Sequence, residues 1–169
     1  MDLDLSIHHI CGLDELADAP LAAADRIVSI LGTEQPVPRE LIGIAKPVLT
    51  LRFDDVVGPI DDARPPEPDD VRAALDFDAG ARDDERLVVH CTAGISRSTA
   101  ILAVLLAARH PTLNDEIFTA IRQLRPKAWP NSRIVVLGDD LLGRRGKLVA
   151  ALRRHYAIQE NDPAFHAAT

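Results

Sequence analysis

A single α/β domain, with a central, mainly parallel sheet of four to five strands flanked by helices, is the fold class this sequence predicts. Three observations lead there. Short β-branched apolar runs alternate with segments of helical rhythm, the order that builds a parallel sheet covered by helices. The chain has 169 residues, the size of one ordinary domain. Hydrophobic residues make up 47% of it, enough for one core, but aromatics only 4%, so Leu, Val, Ile and Ala must do the packing.

The elements follow in order. "LSIHHICGL" and "DRIVSILGT" are apolar runs closed by glycine and read as strands. Between them "LDELADAP" has helical composition and stops at Pro20. "KPVLTLRFDDV" is a third strand with acids at its exit, and the prolines and paired aspartates of "GPIDDARPPEPDD" make a loop. "DDVRAALDFDAGA" spaces Val71, Ala74, Leu75 and Ala79 at helical intervals, with Asp69 or Asp70 able to cap its start. "ERLVVH" is a strand of the continuous apolar type. "RSTAILAVLLAARH" is apolar nearly all round, a helix buried on most sides, ended by His110-Pro111. "TLNDEIFTAIRQL" restarts a helix with Thr112 and Asp115 at capping-box spacing. A last helix lies within "RRGKLVAALRRHYA". Residues 1–158 are expected to form the folded domain, with 159–169 a flexible tail.

Composition excludes several function classes. The longest apolar stretch, Ala100 to Ala108, is too short to span a bilayer. "MDLDLSIHHI" lacks the basic-then-apolar pattern of a secretory signal, and a cytoplasmic location is expected. A formal charge of −7 argues against nucleic acid or an anionic membrane as a stable partner. Residues 122–154, however, carry nine basic side chains against two acidic ones, either a solvated helical surface or a positive face for anionic substrates.

Cys11 and Cys91 have neither metal-ligand spacing nor a disulfide framework, and both read as free thiols. Cys91 stands between a strand and a buried helix, in "LVVHCTAGISRSTAILAVLLA". It therefore falls at the carboxyl end of a strand, where ligands bind in open α/β sheets. Thr92, Ala93, Gly94, Ile95 and Ser96 form a tight loop whose backbone N–H groups can make an anion cradle at the helix N-terminus. The helix end and Arg97 are expected to lower the thiol pKa from about 8.5 into the range of roughly 3.5–7.5, giving a thiolate. Arg97 can bind two oxygens of a phosphate together. Ser98 can hydrogen-bond the sulfur and improve it as a leaving group. His90 orients the loop, since an ionised thiol needs no base. Cys11 reads as a core residue, with oxidation to a protective disulfide as the lesser alternative.

"HCTAGISRS" resembles the loop of the cysteine-dependent protein tyrosine phosphatases, and its "AGISRS" form is similar to the dual-specificity-like branch. "PVLTLRFDDV" resembles that family's strand and acid loop, and "RPKAWPNS" its Pro-Asn segment. The resemblance implies a compact catalytic domain with the phosphatase P-loop between a strand and a buried helix. It implies metal-independent hydrolysis of phosphomonoesters through a phosphocysteine intermediate, with no cofactor. The substrate is expected to be a phosphotyrosine-containing protein, with dual specificity as a variant. It also implies an aspartate upstream that protonates the leaving group. Asp54, Asp55, Asp61 and Asp62 lie 29 to 37 residues before the cysteine, and laying "VLTLRFDD" on the family pattern selects Asp55. Pairing itself identifies nothing, because five Asp-Asp pairs occur. Asn131 is either a support for the acid loop or water, or a plain turn residue.

Three alternatives stay open at this level. A phosphoinositide phosphatase is disfavoured by the uncharged cradle residues. A rhodanese-like sulfurtransferase is disfavoured by the Arg-Ser pair and the upstream acid. A non-catalytic phosphoprotein-binding pseudophosphatase is favoured if no acid reaches the cradle.

Overall fold

A computed structural model describes residues 3–167. Four strands, β1 (His8–Cys11), β2 (Arg26–Leu31), β3 (Val48–Arg52) and β4 (Leu87–His90), form one sheet in the order β1-β4-β2-β3. Every neighbouring pair is parallel. Parallel strands need both faces covered, which is why β2 and β4 are buried at every position.

The two faces are covered differently. On one, Val28, Ile30 and Val89 meet α1 (Pro68–Ala79), α2 (Arg97–Arg109), α3 (Asp115–Leu124), α4 (Ser132–Leu141) and α5 (Lys147–Asn161) in the main core. On the other, Cys11, Ile27 and Val88 are closed over by Leu16 and Leu41 of two 3-10 helices, Leu13–Asp18 and Arg39–Leu41. The "LDELADAP" segment is thus a 3-10 helix, too short to nucleate a longer one between two strands. Helix α2 is central: Arg97 through Ala107 are all buried, and it packs on β4, β1, α1, α3 and α4. Its apolar circumference follows from that enclosure.

Several boundaries differ from the sequence reading. Helix α1 starts at Pro68 with Glu67 as N-cap, and Asp70 serves in its third position, accepting the Glu67 N–H at 2.8 Å. Asn114, not Thr112, is the N-cap of α3. Helix α4 has no counterpart in the sequence reading. Helix α5 continues to Asn161, and the buried Gln159 donates to the carbonyls of Pro126 and Ala128 at 2.9 and 3.0 Å. A short helix α6 (Pro163–His166) then sets Phe165 against Trp129. Ala168 and Thr169, the end of the expected tail, lie outside the described residues. Among the described residues, no helix is long and apolar enough to cross a membrane.

Candidate active site

Strand β4 ends at His90 and α2 begins at Arg97, so Cys91 and residues 92–96 bridge strand and helix. The loop is shaped by where its carbonyls go. Thr92 C=O accepts from Leu13 N–H at 2.9 Å, Ile95 C=O from Trp129 N–H at 2.9 Å and Ser96 C=O from Asn131 N–H at 3.0 Å. Ala93 C=O accepts from Arg125 Nη2 at 3.0 Å. With these carbonyls turned outward, the N–H groups of Thr92, Ala93, Ile95, Ser96 and Arg97 have no acceptor among the described residues. N–H groups left unpaired at a helix N-terminus can bind an anion.

Gly94 allows this turn. Its φ is +70°, and a Cβ there would lie 2.6 Å from the Cys11 carbonyl carbon, so both backbone and space require glycine. A Cβ on Gly12 would in turn meet Thr92 O at 2.8 Å, so the exit of β1 presses directly on the loop.

Cys91 is buried, with Sγ 3.3 Å from the donating Gly94 N–H and 3.2 Å from Ser98 Oγ. Both groups can donate to a sulfur anion. Arg97 is buried too: Nη1 donates to Phe53 O and Nη2 to Thr92 Oγ1, each at 2.9 Å. Its Nε has no hydrogen-bond partner among the described residues. A buried guanidinium N–H left unpaired is costly, and an oxyanion placed at this edge would pair it.

His90 lies beneath the loop, fully buried. The Cys91 carbonyl 3.3 Å from Nδ1 can only accept, so Nδ1 carries the proton and Nε2 accepts from Ser29 Oγ–H at 2.6 Å. Burial holds the imidazole below its ordinary pKa, in keeping with a neutral orienting role. Cys11 is fully buried in the smaller core, and desolvation raises its thiol to about 11, the state of an inert core residue.

The aspartates separate cleanly. Asp55 Oδ1 accepts from Ser96 Oγ at 2.7 Å and from Asn131 Nδ2 at 2.9 Å, which brings it to the rim of the cradle. Asp54 is turned the other way and binds the Arg64 N–H at 2.8 Å, closing the acid loop on itself. Asp61 and Asp62 are exposed farther along that loop. Asn131, 3% exposed, also caps α4 through the Ile134 N–H and donates to Val56 O.

Two supporting residues were not foreseen. Arg125 forks onto Glu15 while holding Ala93 O, and Glu15 accepts the Gly12 N–H. The Arg125 hydrogen bonds pull the Glu15 carboxyl down to about 2. Partners 110 residues apart leave no local signal. The basic segment as a whole does not gather at the cradle: Arg144 is buried against the Ala107 carbonyl, and Arg154 pairs with Asp115.

No family model matches the sequence, and no curated protein matches it. Solved structures do. Human DUSP28 is 18% identical with a TM-score of 0.57, covering 91% of each chain. The human tyrosine phosphatase-like serine/threonine/tyrosine-interacting protein is 16% identical with a TM-score of 0.62, covering 82% of this chain and 93% of its own. PTPMT1 in complex with PI(5)P is 17% identical with a TM-score of 0.60, covering 89% and 96%. The chain has the fold of the dual-specificity-phosphatase-like branch of the protein tyrosine phosphatases.

Proposed function

We propose that this protein hydrolyses phosphomonoesters through a phosphocysteine intermediate, without a metal ion, and that phosphotyrosine-containing proteins are its main substrates, with phosphoserine and phosphothreonine as further ones. The observation that carries the reading is a buried cysteine sulfur that accepts the Gly94 N–H, in a loop whose other amides and whose Arg97 Nε have no partner among the described residues. Donors held in place before the substrate arrives stabilise charge as it develops on the phosphoryl oxygens, without reorganisation.

The steps follow from the residues. Cys91 Sγ attacks phosphorus while the loop amides and Arg97 bind the equatorial oxygens. Asp55 protonates the departing oxygen, and then takes a proton from the water that cleaves the S–P bond. Ser98 donates to the sulfur as it leaves. His90 and Asn131 hold the loop and the acid in register. The reading is tested with an aryl phosphate. Cys91→Ser is expected to abolish turnover and Asp55→Asn to lower kcat by about a hundredfold. Tight phosphate-ester binding without turnover by the unmutated protein would instead favour a pseudophosphatase.

A second reading has one observation in its favour, the likeness to a structure of PTPMT1 with PI(5)P bound. Against it, the cradle side chains Thr92, Ala93, Ile95 and Ser96 are uncharged, and the nearby Arg125 is held by Glu15. Faster release of phosphate from phosphoinositide vesicles than from phosphotyrosine peptides would reverse this order. The sulfurtransferase is disfavoured by an acid and a serine that have no task in sulfur transfer.

A further inference from the structure

Ser96 is the N-cap of α2, the position where a serine hydroxyl ordinarily accepts an N–H from the first helical turn. It makes no such bond. Its hydroxyl instead donates to Asp55 Oδ1 at 2.7 Å, across 41 residues of sequence. The first-turn amides are thereby left to the cradle, and the hydroxyl is given to the acid.

Asn131 completes the arrangement. Ile134 N–H can only donate and Val56 O can only accept, so the amide orientation is fixed: Oδ1 faces Ile134, and Nδ2 faces Val56 and Asp55. Nδ2 reaches the same Asp55 oxygen as Ser96, at 2.9 Å. Two donors therefore converge on Oδ1. Asn131 Nδ2 can only donate, and with the Ser96 hydroxyl donating to the same oxygen a neutral Asp55 carboxyl carries its hydrogen on Oδ2. Tyr156 also neighbours Asp55. Burial and the Asp55 charge raise its phenol to about 12, so it stays neutral and does not compete as a proton acceptor.

We propose that Ser96 is a positioning residue for proton transfer: with Asn131 it clamps Asp55 Oδ1 and thereby assigns the acid proton to Oδ2, presented to the leaving group. This rests on the phosphatase reading above and deepens it. In the first step the Sγ–P bond forms and the P–O bond breaks. The electron pair goes to the leaving oxygen, and the Oδ2 proton moves onto it. Asp55 is then a carboxylate whose charge is received by the two donors already on Oδ1. In the second step a water oxygen bonds phosphorus, the S–P pair returns to sulfur, and the water proton goes back to Oδ2.

Phenyl phosphate, whose leaving group needs protonation, and dinitrophenyl phosphate, whose leaving group does not, separate this role from a structural one. In Ser96→Ala, kcat/KM for phenyl phosphate is expected to fall about tenfold further than for dinitrophenyl phosphate. Ser96→Thr, which keeps the hydroxyl, is expected to restore the ratio. Equal losses on both esters, or no restoration by threonine, would mean that Ser96 acts through cradle shape and would overturn the proposal. If Asp55→Asn produces no such split, Asp55 is not the acid and the proposal falls with it. If the unmutated protein turns over neither ester, the phosphatase reading itself is what fails, and this assignment with it.

Discussion

Asp54 and Asp55 illustrate what a single residue's position decides. Neighbours leaving a strand point to opposite sides, so one faces the cradle and the other the acid loop. The family-like pattern selected Asp55 and offered Asn131 as a support for the acid loop, but the Ser96 hydroxyl as a second donor to Oδ1 had no trace in local sequence. The loop itself was legible because Cys91, Gly94, Arg97 and Ser98 act within one short stretch. Titration at this scale gives a prediction. His8, His9, His90 and His155 are each held below the ordinary imidazole value, chiefly by burial. The native state thus binds fewer protons than the unfolded chain. Their stabilisation is complete above about pH 6.5 and is lost as pH falls below it. Glu15, lowered to about 2, adds a second loss as pH falls from about 4.5. Melting temperature is expected to drop between about pH 7.5 and 5, and a flat or rising profile would contradict these assignments.

At the scale of elements, all four strands were readable because β-branched apolar runs at the sheet centre have few alternative uses. Helix α4 was not. "SRIVVLGDDL" has the Ile and Val content of a strand and an internal glycine, both against a helix. Tertiary context overrides them. Asn131 caps its start, and Gly138 lets α4 approach α2 so closely that an added Cβ would lie 2.8 Å from Val104 Cγ1 and nearer still to Cγ2. Asp139, one of the paired aspartates that looked uninformative, is buried and accepts the N–H groups of Gly146, Leu148 and Val149, setting the start of α5. Gly138→Ala is accordingly expected to cost about 1–3 kcal/mol in chemical denaturation, by forcing Val104 or the helix to shift. Unchanged stability would mean that the α2–α4 contact is looser than described.

For the whole molecule, the arrangement of layers explains how the loop is held in place. The strand order β1-β4-β2-β3 sets Cys91 beside the exit of β1, where Gly12 and Leu13 brace the loop. Segment 125–131 braces it too, through Arg125, Trp129 and Asn131. That segment is fastened in turn by α5: His155 Nε2 and Gln159 both reach Ala128 O, and Tyr156 stacks on Trp129 with centroids 4.2 Å apart. The last long helix, with Gln159 from the segment expected to be a flexible tail, therefore supports the cradle at second hand. Single-sequence periodicity could not reveal this, because every one of these contacts is long-range.

The central claim is that Cys91 carries the phosphoryl group between the two chemical steps. Acid quenching within one turnover of an aryl phosphate, followed by peptide mass analysis, tests it most directly. One phosphoryl group is expected on the peptide containing Cys91, with more of it trapped in Asp55→Asn than equal impairment of both steps would leave. Full turnover with no phosphoryl group on Cys91 at any quench time, and undiminished activity in Cys91→Ser, would contradict it.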